Sequence, residues 1–157
     1  MIIEICVENL AQSLAAERSG AHRLELCADL NNGGTTPSFG MIRTVSSRCS
    51  IPVFAMIRPR GGNFSYTENE MAVMLADISA AAAAGAQGVV FGALYTDGGF
   101  HVEHNIELLR IARLHRLQVT FHRAIDVCRD PLAVLELLAE LGFNNVLTSG
   151  GKQKAVH

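Results

Sequence analysis

The chain has 157 residues, 49% of them hydrophobic, which is enough for one core and too few for two ordinary domains. Lys and Arg number 13 against 15 Asp and Glu, a net charge of −2. That balance gives no support to nucleic-acid or anionic-membrane binding, which need a basic stripe, so the expected partner is a metal ion or a small anionic ligand.

The N-terminal stretch Met1–Leu10 contains Glu4 and Glu8 and no basic lead-in, unlike a secretory signal. A cytoplasmic location is expected, with Cys6, Cys27, Cys49 and Cys128 reduced. None of the four forms a CxxC pair.

In chain order one pattern recurs six times: a short apolar run, a polar loop, then an amphipathic helix closed by glycine or proline. The predicted strands are Ile2–Cys6, Arg23–Cys27, Val53–Arg58, Gly88–Leu94, Gln118–Arg123 and Asn145–Thr148. The first helix runs over Glu8–Ser19 and ends at Gly20, the second over Ser38–Arg48 between Pro37 and Pro52. Thr67 and Glu70 form a capping box for a third helix reaching Gly85. The apolar stretch Ile78–Tyr95 is broken by Gly85, Gln87, Gly88 and Gly92 and reads as helix end, turn and strand, not as a membrane span. A fourth helix, Val102–His115, is predicted to bury Ile106, Leu109, Ile111 and Leu114. The fifth opens at Asp130-Pro131 and closes at Gly142.

Strands alternating with helices imply crossover connections and a parallel sheet. No GxGxxG follows the first strand, so a dinucleotide fold is not indicated. By period two, Glu4 and Cys6 share a face, as do Arg23, Glu25 and Cys27, Met56 and Arg58, and Thr120 and His122. Polar inward faces near the strand ends favour a β/α barrel of TIM type, expected as a single domain over residues 1–157. Such barrels close with eight strands; six are found, so the barrel is expected to be incomplete, with unpaired edges that favour a homo-oligomer.

The candidate site residues lie at those strand ends. Arg58 and Arg60, in the loop Arg58-Pro59-Arg60-Gly61-Gly62, carry planar forks suited to an anion. Arg123, Thr148 and Ser149 lie after the fifth and sixth strands, where Thr148-Ser149-Gly150-Gly151 offers small residues and exposed amides. Glu25 and His122 are candidates for proton transfer. Cys6 and Cys27, matched at the ends of adjacent strands, could share a soft ion such as Cu(I) or be small buried hydrophobes.

These blocks, taken in order, resemble the CutC copper-homeostasis family: Glu4-Ile5-Cys6, Arg23-Leu24-Glu25-Leu26-Cys27, Gly33-Gly34-Thr35-Thr36-Pro37-Ser38 and Ile57-Arg58-Pro59-Arg60-Gly61-Gly62. The match continues through Val119-Thr120-Phe121-His122-Arg123-Ala124, Asp126 and Val146-Leu147-Thr148-Ser149-Gly150. The resemblance implies a TIM-barrel-like fold, a cytoplasmic location, oligomerisation and a role in copper handling, with Cys6 and Cys27 as the carry-over for a Cu(I) site. It brings no reaction, and the competing expectations are a TIM-barrel enzyme acting on a small anionic substrate at the strand C-terminal mouth, or a truncated relative with little activity. Members of that family continue with a further helix and two more strands, whereas this sequence stops at His157.

Overall fold

The six apolar runs pair side by side in chain order. In the computed structural model, which describes residues 1–152, they form one parallel sheet in the order β1-β2-β3-β4-β5-β6. The last five residues of the expected domain lie outside the described residues. The strands are β1 (Glu4–Val7), β2 (Arg23–Leu26), β3 (Val53–Met56), β4 (Gly88–Phe91), β5 (Gln118–Phe121) and β6 (Asn145–Val146). Between them run α1 (Leu10–Arg18), α2 (Phe39–Arg48), α3 (Glu68–Ala84), α4 (Val102–Leu114) and α5 (Pro131–Leu141). Among the described residues β1 and β6 do not pair with each other, so the barrel is incomplete.

Local signals set the helix ends. The Thr67–Glu70 capping box is formed, Asp130 accepts from Ala133 N–H ahead of Pro131, and Gly85 and Gly142 take left-handed conformations after their helices. The first helix starts later than expected because Asn9, not Glu8, is its cap, its side chain accepting from Gln12 N–H. Each strand is shorter than its apolar run. Single bonds such as Ile57 N–H to Val90 O and Leu147 N–H to Phe121 O carry the ladder one residue further before the loops peel away.

The sheet has two chemically distinct faces. Leu24, Leu26, Val53, Ala55, Val89, Phe91 and Val119 point outward and pack on Ile42, Val45, Met74, Ile78 and Leu108 of the helices. Full burial of such a side chain stabilises by roughly 1.5–3 kcal/mol, so this outer layer is the main source of stability. The opposite face carries Cys27, Phe54, Met56 and Val90 as a small separate cluster beside the polar residues.

The packing face of α4 differs from the expected one. Asn105, Leu108, Leu109 and Ala112 are buried, whereas Ile106 and Leu114 are 44% and 70% exposed. The Asn105 side chain accepts from Ala93 N–H and donates to Ala93 O, which pulls a polar residue inward and rotates the helix. Hydrophobicity alone gives no sign of that bond.

Candidate functional site

The inward face is ordered from one end of the strands to the other. At the start, Arg23 pairs with Glu4, and its guanidinium stacks 4.3 Å above the centroid of the Phe54 ring. Gly88 makes room for that ring: a Cβ there would lie 2.6 Å from it. The register sets Cys6 beside Glu25 and Glu25 beside Phe54. Glu25 Oε1 accepts from both thiols, Cys6 Sγ at 3.3 Å and Cys27 Sγ at 3.7 Å. Glu25 Oε2 is buried with no partner.

Burial, then the charge of Glu4, raises the Glu25 carboxyl to about 7 from an ordinary 4.5. Burial and the adjacent Glu25 charge push the Cys6 thiol up to about 12 and raise that of Cys27 as well. Cys6 is exposed and Cys27 is buried.

At the far end of the strands lies a cavity of about 170 Å3, walled by Cys6, Glu25, Met56, Phe64, His122 and Leu147. His122 is 3% exposed. Its Nδ1 accepts from Ala124 N–H at 3.2 Å, which assigns the proton to Nε2, and Nε2 has no partner. Burial, then the nearby Arg58 charge, lowers this imidazole to about 3, so it is neutral at physiological pH. Gly92 keeps its position open, since a Cβ there would meet Nδ1 at 2.9 Å.

The arginines are distributed differently from one another. Arg60 is held by Glu70 and by the carbonyls of Asn63 and Ser65, so it staples its own loop to the start of α3. Arg58 is 4% exposed and donates to the carbonyls of Asn32, Gly34 and Gly62. Arg123 bonds Asp126 and the Ser149 hydroxyl.

Asp126 is the centre of that last group. It also accepts from the Thr148 hydroxyl, the Ser149 hydroxyl and amide, and the Gly151 amide. Thr148, Ser149 and the glycine amide thus meet a carboxylate, as an anion cradle would, but it is one supplied by the chain itself. Burial would raise this carboxyl, yet hydrogen bonds from Thr148, Arg123, Ser149 and Gly151 outweigh it and hold it well below the usual carboxylate range.

The structure therefore gathers Cys6, Cys27, Glu25 and His122 around one region, and sets Arg123, Thr148 and Ser149 around Asp126. Among the described residues no group of three or more His, Cys, Asp or Glu side chains is placed to hold a metal ion, and no helix is long and apolar enough to cross a membrane. Sequence reasoning did not single out Phe64, Met56 or Leu147 as walls, or Asp126 as a hub. Asp126 alone carried a signal, as the one carboxylate in the Arg123–Cys128 loop.

A six-stranded parallel sheet with its polar face and cavity at the strand ends defines a partial β/α barrel of TIM type. The whole of the chain, residues 1–157, matches the CutC family, and the chain belongs to that family. It is 50% identical over 155 residues to the copper homeostasis protein cutC homologs of Homo sapiens and Mus musculus, spanning 99% of this chain and 56% of theirs. The crystal structure of CutC from Streptococcus agalactiae superposes with a TM-score of 0.90 at 34% identity, covering 98% of this chain and 75% of that one. A phosphonopyruvate hydrolase superposes at TM-score 0.66 and 16% identity, over 94% of this chain and 58% of that one, a likeness of fold alone.

Proposed function

We propose that this chain serves copper homeostasis in the cytoplasm by binding Cu(I) through Cys6 and Cys27. The relatives named as copper homeostasis proteins support the role, although the chain spans little more than half their length. One observation carries the site: both thiols donate to the same oxygen, Glu25 Oε1, at 3.3 and 3.7 Å, so the two side chains face one point and would close on a single ion by moving towards each other. Soft thiolate ligands select Cu(I), which accepts two sulfur ligands, whereas zinc in structural sites takes four. The reducing cytoplasm keeps both thiols available. Binding would displace the two thiol protons.

Titration with Cu(I) against a competing chelator tests this. The expected result is one Cu(I) per chain, with the affinity lost in the Cys6→Ala/Cys27→Ala double variant. Unchanged affinity in that variant would overturn the site.

A further inference from the structure

Cys6 and Cys27 supply two sulfurs, and the fold sets a third beside them. Met56 ends β3, and the register that pairs Leu26 with Ala55 brings Cys27 and Met56 next along their two strands. From there Met56 adjoins both cysteines. With Cys6 and Glu25 it walls the cavity at the strand ends, and with Cys27, Phe54 and Val90 it forms the small inward cluster. Cys27 Sγ and Met56 Cε also converge on one glycine: a Cβ at Gly34 would stand 3.2 Å from the first and 3.6 Å from the second. Gly34 has φ +84°, a conformation that favours glycine, and so it leaves that point open.

A buried methionine is ordinarily a filler of irregular gaps. Met56 differs in bordering a cavity although it is only 3% exposed. Charge also favours a neutral ligand at this place. Glu25 already adjoins both thiols, and Glu4 shares the inward face of β1 with Cys6. Two thiolates on a monovalent ion make a negative complex, so another anionic ligand would add to the repulsion. A thioether adds a soft donor without charge. His122, on the same wall, is not a competitor. Its Nδ1 accepts from Ala124 N–H and its Nε2 carries the proton, so neither nitrogen has a free lone pair.

We propose that the Met56 thioether is the third ligand of Cu(I), making a three-sulfur site with Cys6 and Cys27, and this rests on the Cu(I) reading of that pair. The thiols release their protons to solvent as the bonds to copper form, and Met56 gives a lone pair with no proton to lose. Two thiolates and a thioether suit a soft monovalent ion and leave zinc short of the four ligands of its structural sites.

The test looks outward from the copper. The chain is grown with selenomethionine in place of methionine, loaded with one Cu(I), and measured by X-ray absorption at the copper edge. Met41, Met71 and Met74 pack in the outer layer and Met1 is exposed at the chain start, so only Met56 can bring selenium to the metal. The expected result is selenium bound directly to copper, and its loss in Met56→Leu, which keeps the core volume. By chelator competition that variant should bind Cu(I) about tenfold or more weakly, a loss that even an outer-shell partner of a metal brings. Two sulfurs and no selenium around copper would overturn Met56 as a ligand and leave the two-cysteine site standing. Selenium retained in Met56→Leu, or undiminished affinity there, would do the same. Unchanged Cu(I) affinity in Cys6→Ala/Cys27→Ala is a distinct outcome, overturning the two-cysteine site and the third ligand with it.

Discussion

Two carboxylates in this protein sit near the same strand ends and have opposite surroundings. Asp126 receives hydrogen bonds from Arg123, the hydroxyls of Thr148 and Ser149, and the amides of Ser149 and Gly151. Glu25 receives only two thiols, on one oxygen, and its other oxygen is orphaned. The first is held below the usual carboxylate range and the second rises to about 7. Asp126 is satisfied by folding itself. Glu25 Oε2, like His122 Nε2, is left unsatisfied by the fold, and both residues stand on the wall of the same cavity.

The largest expected effect comes from dismantling the satisfied carboxylate. Asp126→Ala removes the acceptor shared by Thr148 Oγ1 and the amides of Ser149 and Gly151, while Arg123 keeps Ser149 Oγ and the Lys152 carbonyl, and should lower the unfolding free energy by roughly 3 kcal/mol in urea titration. Asp126→Asn retains one acceptor oxygen and should lose less. The pH dependence has a definite sign. A carboxyl whose folded value lies below its ordinary 3.8 contributes stability that is present above that pH and lost as pH falls below it. The acid limb of the stability profile should therefore be shallower in Asp126→Asn. An equally steep limb would mean that the cluster is not the hub described.

Glu25→Gln should act in the opposite direction. In the folded chain the carboxyl keeps its proton up to about 7, whereas the unfolded chain loses it near 4.5. Stability contributed by this group is therefore complete below pH 4.5 and falls as pH rises towards 7. Removing the charge should stabilise the protein at pH 8 by roughly 2–3 kcal/mol and leave it nearly unchanged at pH 4. The amide oxygen of Gln can still accept from both thiols. No gain at pH 8 would show that the carboxylate has a partner in solution.

The two regions also differ in how far the sequence foretells them. Helix ends at Thr67–Glu70, Asp130-Pro131, Gly85 and Gly142 are set by residues within one turn, so their signals are local and readable. Inward faces follow from period two, which is why Cys6, Glu25, Cys27 and His122 could be gathered in advance. Partners were not readable. Arg58, Arg60 and Arg123 are equivalent as letters, yet one meets loop carbonyls, one a helix-start glutamate and one an aspartate with a loop from beyond the next helix. For Arg58 and Arg123 that choice depends on where loops more than 20 residues away come to rest, and for Arg60 on a helix start ten residues on. Asn105 is missed for the same reason: its burial is decided by the Ala93 backbone, 12 residues away.

The smallest expected effect isolates what makes Asp126 matter. Arg129 and Asp97 form an ion pair at 2.8 Å, the same distance as Arg123 to Asp126. Distance alone therefore predicts equal importance. The Asp126 side chain is 4% exposed and the Asp97 side chain 59%, with Arg129 at 69%. Water solvates the exposed pair whether or not it forms, and holding two mobile side chains together opposes the attraction. Arg129→Ala should leave the thermal midpoint unchanged within error in low and high salt alike, since the backbone bond from Arg129 N–H to Gly98 O does not depend on the side chain. A clear loss of stability that salt abolishes would assign weight to exposed charge in this loop. It would also weaken the argument that the donors around Asp126 act through their burial.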